Sequence, residues 1–209
     1  MSANQSPRDA SRPETSRAEA TRAQIVETAE RLFRSMGYQK TAVADIAREL
    51  GMSPANVYRF FPSKAAINEA ICARVVGLLS ARAWVVARGP GTPADRFRAV
   101  FRAMQQMTLE IAFQERRMIE MLAVAMEEHW GVIKEHVRDI DNAVRHIVMD
   151  GQADGSFARL DPDATGRLIH ATMIGFCHPT LVQQCMEDDL EAMAAGMAEF
   201  CLRALRPDG

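Results

Sequence analysis

The chain has 209 residues, 25 Lys and Arg against 27 Asp and Glu, a formal net charge of −2, and 48% hydrophobic residues, few of them aromatic. That balance excludes a protein that coats nucleic acid by bulk charge, and the apolar fraction excludes a chain too polar to bury a core. Alternating Val, Ile and Thr strand patterns are missing while Ala, Met, Leu, Arg and Glu are plentiful, so an all-α fold is predicted.

Residues 1 to about 17 are Ser, Pro, Arg, Asp and Glu with almost nothing to bury, which predicts a disordered arm. Arg8, Arg12 and Arg17 are within reach of a minor groove in principle, but composition favours a solvated tail. A helix is expected from about Thr21 to Met36, with Ile25, Ala29, Leu32, Phe33 and Met36 on one stripe and Gly37 closing it. Thr41 reads as the N-cap of a short helix carrying Val43, Ile46, Ala47 and Leu50, which Gly51 ends. Ser53 caps another short helix, with Pro54 at its first position, where a missing N–H costs nothing. Two helices joined by a three- or four-residue turn containing Gly form a helix-turn-helix, whose second helix enters the DNA major groove.

Ser63 then caps a longer helix with Ile67, Ala70, Ile71, Val75 and Leu78, and residues 88–93 break the chain. Further helices are predicted from about Pro93 to Gln114, around Met118 to Met126, from Val132 to Asp150, from Pro162 to Met186 and from Asp188 to Leu205. Pro179 is expected to kink the one that contains it. The expected organisation is an arm (1–17), a three-helix helix-turn-helix domain (18–66) and a larger C-terminal helical bundle for ligand binding and dimerisation (67–206). Residues 1–70 carry a net +2 and the remainder −4, so the N-terminal part suits phosphate better.

In the second short helix, Val57 and Phe60 or Phe61 point inward by spacing. Ser53, Pro54, Ala55, Asn56 and Arg59 are left outside. Asn pairs bidentately with adenine and Arg with guanine, while Ala or Pro touches a thymine methyl. Tyr58 offers a hydroxyl suited to phosphate, and Lys64 sits in the first turn of the next helix, where free N–H groups and a cation make an anion site.

The pattern Gly37-Tyr38, Thr41, Asp45-Ile46-Ala47, Gly51-Met52-Ser53, Val57-Tyr58, Phe60-Phe61 and Ser63-Lys64, after an amphipathic first helix, resembles the tetracycline-repressor (TetR) family of bacterial transcriptional regulators. The resemblance covers residues 20 to 70. It implies a homodimer with two reading heads on a double-stranded DNA operator, and a C-terminal domain that binds a small-molecule effector and dimerises through its last two helices. It also implies that Tyr58 and Lys64 anchor phosphates, that Val43 and Ala44 lie near the backbone and groove edge, and that Pro54, Ala55, Asn56 and Arg59 face bases. The family often has Gly, Thr or Ser where Ala55 and Asn56 stand here, which leaves the operator sequence open.

Methionine is flexible and polarisable, so a Met-rich bundle suits apolar ligands. Met104, Met107, Met118, Met121, Leu122, Met173, Phe176 and Cys177 are the candidate pocket residues. His170, Cys177, His178 and Cys185 recur every seven or eight residues. Two helical turns separate such ligands by ~10 Å, too far for one tetrahedral zinc, so packing or a polar pocket handle is the reading and neither metal nor cofactor is expected. Cys72, Cys177, Cys185 and Cys201 show no CxxC pairing, which suits a reduced cytoplasmic compartment. No stretch approaches the ~18 uninterrupted apolar residues of a membrane span, and the first residues lack a signal-peptide core. Leu190, Ala194, Met197, Cys201 and Leu205 form a seam on the last helix, either intramolecular core or dimer face. No Gly-rich phosphate loop, HExxH or nucleophile elbow is present, and Glu127-Glu128-His129 reads as a charged helix end, so an enzyme is not expected. The expected function is a sequence-specific repressor released from DNA by an apolar or amphipathic ligand, the alternative being an activating or ligand-independent regulator.

Overall fold

Helix α1 (Arg12–Met36) opens the described part of the chain in a computed structural model that describes residues 12–114, 116–128, 130–184 and 189–207. It begins well before Thr21, which corrects the expectation of disorder to residue 17. Pro13 is tolerated in a first turn, and Glu14, Arg17, Ala18, Glu19 and Ala20 are strong helix formers that need no core to remain helical when a packed helix continues them. The rest of the expected arm, Arg8 included, lies outside the described residues. Ile25, Ala29, Leu32 and Phe33 are buried, whereas Met36 is 40% exposed and leaves the stripe.

Helices α2 (Val43–Glu49) and α3 (Pro54–Tyr58) follow, then α4 (Lys64–Ala87). Thr41 is not the cap of α2. Its hydroxyl is buried and donates to the Gly37 carbonyl at 2.9 Å, while Ala42 takes the cap position and donates its N–H to Asp45 Oδ2 at 2.9 Å. The end of α2 is a Schellman turn: the N–H of Met52 reaches the Ala47 carbonyl, that of Gly51 the Arg48 carbonyl, and Gly51 has φ +65°.

The chain packs as two units, one to Ile71 and one from Cys72, with α4 contributing to both. The buried register of α4 is Ile67, Ile71, Val76, Leu79, Ala83 and Ala87, not Val75 and Leu78; Leu78 is 64% exposed. By length and mean hydropathy, 1.6 over 18 residues, α4 alone among the described helices is apolar enough to cross a membrane. Arg74 and Arg82 interrupt its apolar run without lowering that average much.

The second unit continues with α5 (Pro93–Gln114), α6 (Arg116–Glu127), α7 (Gly131–Ala153), α8 (Pro162–Cys177), α9 (Pro179–Gln184) and α10 (Leu190–Ala204). Phe97, Phe101 and Phe176 stack through its core with centroids 5.0 and 5.9 Å apart, next to Ile140, Val144 and Ile147. Arg96 donates to the Ala87 carbonyl and to Asp150, tying the end of α4 to α5 and α7. Helices α7 and α8 approach closely at Gly166, where a Cβ would stand 2.9 Å from the Asp141 carbonyl oxygen. The predicted helix from Pro162 to Met186 is broken, not merely kinked. His178 adopts extended backbone (φ −82°, ψ 119°) as the residue before Pro179 must, and α9 starts afresh. His129, Cys185 and Met186 lie outside the described residues.

Candidate nucleic-acid interface and ligand cavity

The reading helix is built by its caps. Ser53 Oγ accepts the Asn56 N–H at 3.2 Å, and Pro54 occupies the first helical position, so five residues suffice to form α3 without a long nucleus. Val57 is fully buried and Phe61 nearly so, while Phe60 is half-buried. This anchor fixes the opposite side: Ser53, Pro54, Ala55 and Arg59 are exposed, and Tyr58 keeps half its surface in solvent. Asn56 is partly buried, with Nδ2 3.9 Å from Met52 Sδ. Ala44 is exposed. Val43 is buried and its side chain belongs to the core.

Lys64 is more occupied than its place in the sequence suggests. Its ammonium donates to the carbonyls of Tyr38 (2.9 Å) and Thr41 (3.2 Å) and lies 4.3 Å from the centre of the Tyr38 ring. It therefore pins the segment leading into α2, with one N–H of three left for an outside acceptor. Arg22, absent from the residues that the sequence pattern singles out, does the same for α3. It donates to the Phe60 carbonyl at 2.7 Å and stacks over the Phe61 ring at 4.0 Å. Nothing in the local pattern around Arg22 marks it, since its partners are 38 residues away. Arg31 and Glu49, 2.8 Å apart, join α1 to α2.

The second unit forms a partly open cavity of about 410 Å³, within the range of small-molecule sites. Of the expected pocket residues, Met104 and Cys177 line it, and Leu122 lines a smaller cavity that shares Leu79, Met126 and His136 with it. Met118, Met121, Met173 and Phe176 are core instead, and Met107 packs partly buried against that core. The expected polar handles His170 and His178 both line it, and the polar residues missed are Thr108, His136, Asp141 and Arg167. His170 Nδ1 donates to Asp141 Oδ1 at 2.6 Å, and Ser80 Oγ lies 2.8 Å from His136 Nδ1. Burial pushes the His136 pKa down to about 4 and the Cys177 thiol well above its ordinary value, so both are neutral near pH 7. Among the described residues no group of three or more His, Cys, Asp or Glu could hold a metal ion. The seam on α10 faces inward: Leu190, Ala194, Cys201 and Leu205 are buried in this unit's core.

Two family descriptions match the chain: "Bacterial regulatory proteins, tetR family" over residues 25–71, and "Tetracyclin repressor-like, C-terminal domain" over residues 93–197. The HTH-type transcriptional regulator TtgR of Pseudomonas putida is 43% identical over 54 residues, a match that spans 26% of this chain and only 26% of that protein's length. A TetR-family regulator from Pectobacterium atrosepticum superposes with a TM-score of 0.70 at 22% identity, covering 91% of this chain and 96% of that one. SmeT, the repressor of the Stenotrophomonas maltophilia multidrug efflux pump SmeDEF, gives 0.66 at 23% identity, with 92% and 93% coverage.

Proposed function

The chain belongs to the TetR family of bacterial transcriptional regulators, and on that premise we propose a cytoplasmic homodimeric repressor that a small apolar or amphipathic ligand releases from a near-palindromic operator. The observation that carries this reading is the division of α3 into a fully buried Val57 and an exposed face of Pro54, Ala55, Tyr58 and Arg59. A five-residue helix with one core side chain contributes little to stability, so its sequence is free to serve recognition.

In this reading Arg59 and Asn56 contact base edges, Tyr58 binds phosphate, and the remaining N–H of Lys64 reaches the same strand. The N-terminal unit up to the first turns of α4 reads DNA, and the remainder senses and dimerises. The ligand cavity touches α4 at Leu79, so an occupant favouring one position of α4 shifts the spacing of the heads through its differential affinity for the two conformations.

Gel-shift with DNA flanking the chain's own gene tests it. Arg59→Ala is expected to cost about 1–3 kcal/mol at one base pair of the operator and to relax preference there. Tyr58→Phe should weaken every sequence alike and lower the salt slope. Were the Arg59 variant to rank operator variants as the parent does, its base contact would be excluded.

Dimerisation is assigned to the outer faces of α8 and α10, where Leu168 is 70% and Phe200 67% exposed. The double change Leu168→Glu with Phe200→Glu should convert a dimer to a monomer by sedimentation and abolish operator binding, because half-sites stand about 34–36 Å apart or a multiple of it. A variant that stays dimeric would place the interface elsewhere.

A further inference from the structure

Helices α5 and α10 run antiparallel. Arg96, at the start of α5, holds Asp150 of α7, and Ala158, soon after the end of α7, donates to the Leu205 carbonyl at the end of α10. Arg98 and Glu199 are ion-paired across that same end. One turn further along each helix, Arg102 comes level with Ala195, and the next turn brings Gln105 level with Glu191. A cleft of about 180 Å³ opens along this ladder, where Arg102, Gln105 and Glu191 meet three alanines of α10 beside the Arg98–Glu199 pair. That pair is complete in itself, whereas the neighbouring polar groups are not. Arg102 and Glu191 are exposed and form no ion pair among the described residues. Gln105 is only 1% exposed, yet its carboxamide hydrogen-bonds to no described residue. A buried polar group rarely stays unpartnered in a native interior, and the cleft is where an outside molecule can reach this one.

We propose that this cleft is a second small-molecule site, separate from the effector cavity, and that it binds a free α-amino acid with a small side chain. The carboxylate of such a molecule meets the Arg102 guanidinium through two parallel hydrogen bonds, and its ammonium meets Glu191. Arg102 and Glu191 stand one turn apart along the ladder, ~6 Å at 1.5 Å per residue. Adjacent carboxylate and ammonium groups span that gap with charge-assisted hydrogen bonds of ~2.8 Å at either end. Gln105 lies between them and serves both ends, since its Nε2 donates to the carboxylate while its Oε1 accepts from the ammonium. A simple anion leaves Oε1 and Glu191 unmatched, and a simple cation leaves Nε2 and Arg102 unmatched. Only a zwitterion answers all three groups. Ala194 and Ala198, both buried, form the apolar wall that limits the side chain. Around α10, Glu191, Ala195 and Glu199 stand about 100–180° from Phe200, so the dimer face assigned above is not the one that carries the cleft.

Calorimetric titration of the full chain with L-alanine, acetate and ethylammonium, each to about 10 mM, tests this. L-alanine is expected to bind at least about tenfold tighter than either single-charge fragment. Arg102→Leu and Glu191→Gln should each weaken L-alanine about tenfold or more and leave the melting temperature unchanged, because neither side chain has an ion-pair partner in the free protein. Gln105→Leu, close in volume, should weaken L-alanine as well without lowering the melting temperature, since the carboxamide it removes makes no hydrogen bond there. Acetate or ethylammonium binding as tightly as L-alanine, or L-alanine failing to bind, would overturn the zwitterion. L-alanine binding that survives both Arg102→Leu and Glu191→Gln would overturn the site. None of these outcomes bears on operator binding or on the larger cavity, so the repressor reading stands or falls separately.

Discussion

Gly151→Ala is expected to destabilise the C-terminal unit by about 3–5 kcal/mol, the cost of expelling a large aromatic from a core. The added Cβ would stand 2.2 Å from Cδ2 of Phe157, with Cγ and Cε2 also within 2.7 Å. No rotamer of a methyl group relieves this, so Phe157, only 5% exposed, must leave the core. Its position is fixed from the backbone side too, since the Phe157 N–H donates to the Gly151 carbonyl at 2.8 Å. A double-mutant cycle in urea gives the decisive measurement. Gly151→Ala added to Phe157→Ala should cost far less than it costs alone, because the ring it collides with is already gone. Additive losses would show that the collision is not the cause.

The second large effect is acid sensitivity centred on His136. Above the ordinary histidine pKa of about 6.5, both folded and unfolded chains carry this ring neutral, and it has no influence on stability. As pH falls further, the unfolded chain takes up the proton while the buried ring resists until about 4. Stability therefore declines through that window by about 1.4 kcal/mol per pH unit from this ring alone. Burial is the main cause, and His170 on α8 adds to it, while Asp139 on the same helix works against it. His136→Phe should flatten that part of the profile in denaturant melts between about pH 7 and 4. An unchanged slope would mean that the ring is protonated in the native protein, and its neutral role in the cavity would fall with it.

What the sequence showed plainly was local. Ser53, Pro54, Gly51, Pro93 and Pro162 act through backbone geometry within a few residues of themselves, so their signals survive without any tertiary information, and each helix they bound begins or ends where expected. The intramolecular contacts of Lys64 and Arg22 were not legible because their partners are carbonyls 23 to 38 residues away, and a cation's spacing does not say whose oxygen it meets. Methionine enrichment led to Met104 in the cavity lining but also singled out residues that pack elsewhere. Met118, Met121 and Met173 serve the core by the same flexibility that would suit a pocket, so composition alone cannot divide them. Of the three imidazoles in the cavity lining, His170 and His178 stood out along the chain, whereas His136 did not, because it joins them only where α7 packs against α8 at Gly166.

The brevity of α3 sets a limit on what one head can know. Three or four outward side chains distinguish about as many base pairs, a word that chance repeats every few hundred positions or less, against the ~10⁶ or more competing sites of a genome. Reading the word twice, in mirrored copies at fixed distance, squares that rarity at no cost in new residues. In the dimer proposed above, selectivity is thus chiefly a matter of counting, and altering the distance between copies erases information even when every contact stays intact.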